Sequence, residues 1–257
     1  MWRLYHIRFP VVHFKHFRIH VLSIILKFWR MVLQVHGARL EEYTRSGAST
    51  FIVCKYVSCA AQKLGLPLSP PYEGNPANIT CGVNYASGGG GIRPETGFLV
   101  GEVLNIQQQL ENHKVIIAKL KKQGINNMSE CLYTVNIGSN DYINNYYALG
   151  YFTWLFYTPE EYAAELITRY REFLQELFSL GARKVALFSL SPLGCLPSQI
   201  TIHFATQGSV CFEDENKAID MFNQGVKSLV DEFNANYTGA KFTYINYGGI
   251  FPKPNTQ

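Results

Sequence analysis

Apolar and polar positions alternate along this chain in two rhythms, and their order predicts a layered α/β fold. Phe51 to Leu64 reads as a helix stopped by Gly65-Leu66-Pro67, a glycine followed by proline. The stretch from Leu68 to Pro76 is rich in proline and reads as a loop, and Gly82 to Gly97 is rich in glycine. Residues from about Val100 to Lys122 predict a long amphipathic helix ending near Gly124. Cys131 to Ile137 is a short β-prone run closed by Gly138-Ser139-Asn140-Asp141. Thr158-Pro159-Glu160-Glu161 has the form of a helix start. Threonine can cap, proline fits the first helical position, and Glu161 completes a capping box. The helix it opens carries Tyr162, Leu166, Tyr170, Phe173, Leu174 and Leu177 at 3–4 spacing and runs to Leu180. Lys184 to Leu190 is a nearly all-apolar strand of the kind buried in parallel sheets. Glu213 to Phe233 predicts a further helix, and Lys241 to Asn246 a further strand. This alternation implies a mostly parallel sheet with helices on both faces. Ligands on such sheets bind at the carboxyl ends of strands, where the Gly138–Asp141 loop should lie.

The first forty residues break the pattern. They hold seven Lys or Arg and no Asp or Glu, and four of the seven histidines fall in the first twenty residues. The longest clean apolar piece, Val21 to Leu26, is broken by Lys27 and Arg30. A membrane-spanning helix needs about 20 apolar residues, so no stable span is expected. A secretory leader has a short basic start and a small-residue cleavage site, which this segment lacks; a transit peptide or an interfacial basic helix fits its composition better. The plainest reading is substituted sequence. We therefore set residues 1–45 apart as an atypical basic segment and assign 46–257 to one domain. His13, His16 and His20 could share a helical face, but no carboxylate or cysteine joins them, and no metal site is expected.

Composition alters this picture in two places. Of the 23 basic residues seven lie in residues 1–40, so the remainder carries 16 basic against 19 acidic residues. The net charge of +4 therefore does not describe a nucleic-acid binder. The six cysteines show no CxxC spacing and no zinc pattern. Together with three sequons, at Asn78, Asn127 and Asn236, they lean towards a secretory compartment.

Two loops carry candidate chemistry. In Asn84-Tyr85-Ala86-Ser87-Gly88-Gly89-Gly90-Gly91-Ile92, four glycines permit close backbone approach to a ligand. No GxGxxG or GK[ST] accompanies them, so a phosphate cradle is not supported. A backbone N–H aimed at a developing oxyanion is a second reading, and a surface turn a third. In the second loop Asn140 offers a side-chain amide at a strand's carboxyl end, although Gly-Ser-Asn-Asp alone is an ordinary turn.

Taken in order, GVNYASGGGGI, YTVNIGSNDYINNYY and GARKVALFSLSPLGCLPSQ resemble three sequence blocks of the plant GDSL-type esterase/lipases, part of the SGNH hydrolase superfamily. The resemblance covers roughly residues 46–252. It implies a three-layer αβα sandwich with a mostly parallel, flavodoxin-like sheet (the SGNH hydrolase fold), here incomplete. It implies serine-mediated hydrolysis of carboxylic esters, with a small-molecule ester or lipid as substrate, no cofactor, and a secreted protein. A serine attacks the acyl carbonyl, a histidine takes its proton, and an aspartate orients the histidine. Carried over, the oxyanion-hole glycine is Gly89, with Gly88 the alternative, and the oxyanion-hole asparagine is Asn140. The resemblance also implies a Cys195–Cys211 disulfide.

The rest of the family's site is not in this sequence. No GDS motif occurs, and no GxSxG elbow. Ser46 and Ser49 lie near the expected place but in no such context. No D-x-x-H occurs; the last histidine, His203, is expected in a loop, and His113 is expected to face solvent. A rebuilt site using Ser87 or Ser139 with His203 would place the nucleophile inside the oxyanion loops. The expectation is a chain truncated at both ends and inactive as a hydrolase. The alternatives are a non-catalytic ester- or lipid-binding protein and a non-functional truncated product.

Overall fold

A computed structural model describes residues 18–23, 69–72, 79–80, 82–203 and 211–250. The predicted helix 51–64, Ser46, Ser49, His13, His16 and Cys81 lie outside the described residues. Four strands form one all-parallel sheet in the order β1 (Arg18–Ser23), β2 (Cys131–Asn136), β3 (Lys184–Phe188) and β4 (Lys241–Ile245). Strands β2, β3 and β4 match the predicted runs to within two residues. The helices are α1 (Ile106–Lys122), α2 (Pro159–Ser179), the short α3 (Pro197–Ile202) and α4 (Glu213–Asn236).

Strand β1 departs from expectation. On its sequence the basic segment stands apart from the domain, and no strand is predicted in it. In the structure Arg18–Ser23 instead pairs in parallel with β2, from Arg18 opposite Cys131 to Ser23 opposite Asn136. The run Ile19, Val21 and Leu22 has β propensity that the surrounding basic residues mask.

Because successive strands are neighbours and parallel crossovers are right-handed, every crossover leads to the same face of the sheet. Contacts between the helices agree. Gln107 of α1 hydrogen-bonds Glu176 of α2 at 3.0 Å, and Arg171 of α2 pairs with Glu232 of α4 at 3.0 Å. Gly225 lets α2 and α4 approach closely, since a Cβ there would stand 2.4 Å from Ile167. Under these helices lie Tyr133 and Val135 of β2, Val185 and Leu187 of β3, and Phe242 of β4, which stacks on Phe233 of α4 at 4.6 Å. The opposite face carries Leu132, Ala186, Phe188 and Ile245, all half-buried. The described residues thus supply the sheet and one helical layer of the sandwich. Strand β3 is apolar after Lys184 yet fully buried on one face only.

Helix α2 begins as predicted: the Thr158 hydroxyl accepts from the Glu161 N–H at 3.2 Å, and the Glu161 carboxylate accepts from the Thr158 N–H at 2.8 Å. Helix α1 starts about six residues later than the periodicity suggests. Positive-φ glycines at Gly97 and Gly101 bracket a separate turn, Phe98–Val100, and Asn105 then opens the helix with its own capping box to Gln108. Cys195, in the turn Leu193–Cys195, is disulfide-bonded to Cys211, two residues before α4, as the resemblance implied. Among the described residues no helix is long and apolar enough to cross a membrane.

Candidate active site

The Gly-rich loop and the loop after β2 are built into one structure by Asp141. Its carboxylate accepts from the Ile92 N–H at 2.8 Å, the Arg93 N–H at 3.0 Å and the Thr96 hydroxyl at 2.8 Å. The group is fully buried. Burial pushes its pKa up to about 6, against the lowering effect of the Arg93 and Ile92 N–H groups and the Thr96 hydroxyl. Gly91 leaves room for this clamp, since a Cβ there would stand 2.6 Å from the Asp141 Oδ1. Sequence reasoning took Asp141 for a turn former; its contacts lie 45 to 49 residues away and leave no local signal.

The clamp sets Asn140 against the glycines. Asn140 is buried, and its Nδ2 donates to the Gly90 carbonyl at 2.7 Å while its Oδ1 accepts from the Asn144 amide at 2.9 Å. One N–H of the Asn140 amide is thereby occupied, and the second is the one an oxyanion would use. Gly89 has φ +89° and sits one peptide from that contact. A Cβ on it would stand 2.9 Å from Val103. Its N–H makes no hydrogen bond among the described residues. The structure therefore brings together the two predicted oxyanion donors' loops, Gly89 and Asn140, at the carboxyl end of β2.

The other candidates fall elsewhere. The Ser87 hydroxyl accepts from the Leu104 N–H at 2.8 Å, an anchor for the loop that precedes α1. Ser139 is buried at the start of the one-turn helix Ser139–Asp141. His203 ends α3 and stacks on Phe212 at 4.2 Å, with Tyr147 edge-on at 5.8 Å. Burial pushes its imidazole below the usual value. No hydrogen bond joins it to Ser87 or Ser139 among the described residues. His113 corrects the expectation of a solvent-facing residue. It is fully buried and hydrogen-bonded to the Tyr85 hydroxyl at 2.9 Å, between the rings of Tyr85 and Tyr133. It follows Leu110 by three residues and precedes Ile116 by three, which places it in the buried stripe of α1.

Two further groups escaped the sequence. Arg93 stacks over Tyr157 at 5.1 Å and Tyr162 at 5.7 Å and pairs with Glu95 at 2.5 Å and Glu165 at 3.5 Å, tying the Gly-rich loop to α2. Glu215, in the first turn of α4, is wholly buried, and among the described residues neither carboxylate oxygen is hydrogen-bonded. Burial raises its pKa to about 8. Among the described residues no cluster of His, Cys, Asp or Glu could hold a metal ion.

A buried asparagine amide and a glycine loop thus meet at one carboxyl edge of a parallel sheet. Comparison with known proteins names the class. The family model of the GDSL-like Lipase/Acylhydrolase matches residues 55–256. The chain is 46% identical over 181 residues to the GDSL esterase/lipase At2g19050 of Arabidopsis thaliana, covering 69% of this chain and 50% of that protein. It is 45% identical over 179 residues to the GDSL esterase/lipase At2g19010 of the same plant, covering 69% and 51%. To the GDSL esterase/lipase At4g18970, also of Arabidopsis thaliana, it is 40% identical over 191 residues, covering 72% and 53%. This chain belongs to the GDSL lipase/acylhydrolase family. It spans about half the length of these curated relatives.

Proposed function

We propose that this chain provides the oxyanion-binding part of a carboxylic-ester hydrolase site, and that its residues alone bind an acyl ester without turning it over. The observation that carries the reading is the Asp141 clamp, which holds the Gly89 loop against the Asn140 amide. Two donors set for a developing negative oxygen stabilise a transition state, but attack needs a nucleophile and a base. The sequence holds no GDS serine and no D-x-x-H histidine. The test is labelling with a fluorophosphonate probe together with release of p-nitrophenol from a p-nitrophenyl ester. No labelling is expected, and ester binding weakens in Asn140→Ala. Stoichiometric labelling with turnover would overturn the reading.

One observation favours a second reading, an active esterase. Register places Ser23, the last residue of β1, opposite Asn136 at the carboxyl edge that holds Asn140. Activity abolished by Ser23→Ala would establish it. The substrate class we assign is a small-molecule ester or lipid, with no nucleic acid as partner. The compartment we assign is extracellular, supported by the Cys195–Cys211 disulfide and by exposed sequon asparagines at Asn127 and Asn236.

A further inference from the structure

Beside the candidate site the molecule exposes large apolar side chains that packing does not use. Phe98 and Leu99 project from the turn between Gly97 and Gly101, and Phe98 is 78% exposed. Phe152, Trp154, Leu155 and Phe156 project from the loop that precedes α2, with Phe156 78% and Trp154 55% exposed. The two segments meet: the Leu99 N–H donates to the Tyr151 hydroxyl at 3.2 Å, which itself donates to the Glu95 carbonyl at 3.3 Å. Neither segment is charged. Residues 96–101 contain no Asp, Glu, Lys or Arg, and none occurs from Tyr142 to Thr158.

Exposed aromatic and leucine side chains clustered in segments that carry no charge are costly to a protein that keeps them in water, and they mark an interaction site. We propose that this patch docks the protein peripherally on an electrically neutral lipid surface. Three observations select that occupant. Phenylalanine, leucine and a tryptophan at loop tips are the side chains that enter the headgroup and acyl boundary. The segments themselves carry no charge, and the residues nearest the turn, Glu95 and the exposed Glu102, are acidic, which suits a neutral rather than an anionic lipid surface. The patch is also continuous with the candidate site. The Thr153 hydroxyl donates to Asn145 at 2.5 Å, the Asn145 amide to the Thr96 hydroxyl at 3.0 Å, and that hydroxyl to Asp141 at 2.8 Å. Docking would set the oxyanion loops at the lipid boundary, from which an acyl ester could enter directly. That consequence rests on the ester-site reading, whereas the docking itself does not.

The test uses the full chain and vesicles of phosphatidylcholine. In a Trp2→Phe/Trp29→Phe background, Trp154 emission should shift to the blue on adding vesicles and be quenched by lipids brominated on the acyl chain. Phe98→Ser/Phe156→Ser should lower the partition coefficient about tenfold or more. Its circular dichroism and thermal midpoint should stay unchanged, because both rings are exposed. Asn140→Ala should bind vesicles like the parent, so loss of ester binding and loss of docking are separate results. The proposal is overturned by absent vesicle binding, by equal binding of the double-serine variant, or by self-association that this variant abolishes while vesicles remain unbound.

Discussion

Glu215 offers the sharpest quantitative test of the packing around α4. Its carboxyl group is wholly buried, with neither oxygen hydrogen-bonded among the described residues, and Tyr142 and Tyr147 lie close enough for its charge to raise their own pKa values. Three acidic residues in the first turn of α4 suit the positive end of the helix dipole, yet only Glu215 is buried. Burial raises its pKa from 4.5 to about 8. The folded chain therefore holds this proton at pH values where the unfolded chain has released it. The stability linked to the proton is fully present below the unfolded value and is lost as pH rises through about 8. Integrating the linkage from about pH 5 to about pH 9 gives a loss of about 4 kcal/mol. In Glu215→Gln the loss disappears, because the amide does not titrate. Urea unfolding of both proteins across this range should give curves that diverge as pH rises, the variant becoming the more stable. Thermal midpoints should separate by roughly 8–16 °C at the alkaline end. Asp141 titrates in both proteins and cancels from the difference. Parallel stability curves would refute the reasoning, and would mean that the carboxylate finds a partner or water.

Four further outcomes are expected. Asp141→Ala leaves the Ile92 and Arg93 N–H groups without their acceptor; it should cost about 3 kcal/mol or more and speed hydrogen exchange at both amides. Gly97→Ala forces a Cβ to 2.1 Å from the Gly89 carbonyl at φ +82°, so its thermal midpoint should fall and its ester binding weaken. Replacing Cys195 and Cys211 by serine opens a cross-link across 16 residues and should cost about 3 kcal/mol in urea unfolding, with the variant insensitive to reductant. Secreted from a eukaryotic host behind a heterologous leader, the chain should carry glycans at Asn127 and Asn236. Removing them with an amidase should reduce the mass, and Asn127→Gln/Asn236→Gln should abolish the corresponding steps.

Much of this fold was legible wherever the determining contacts are local. The capping box at Thr158 and the apolar stripes of α2 and α4 are written within one or two helical turns. His113 was legible too, and was missed because a polar residue was judged by type rather than by its place in the stripe. The start of α1 was lost to a pattern that runs from Val100 through Gly101, where backbone conformation breaks the helix although apolar periodicity continues. The proposed roles of Gly89 and Asn140 rest on the resemblance, since a glycine run and a turn tetrapeptide are individually commonplace. Asp141, Arg93 and Glu215 act through partners dozens of residues away, or through having none. No period or spacing reports that.

The Asp141 clamp also bears on how the chain is made. It closes a loop of 49 residues between Ile92 and Asp141, and everything it joins precedes α2. Loop closure at that length costs roughly 3–4 kcal/mol in chain entropy, which hydrogen bonds to a buried carboxylate can offset. During synthesis the Gly-rich loop, α1 and β2 all leave the ribosome before β3 exists, and polypeptides fold vectorially from the N-terminus. The Gly-rich loop and the loop after β2 can thus dock on each other while the strands that complete the sheet are still being translated. That carboxyl edge would then be a template on which the later crossovers assemble.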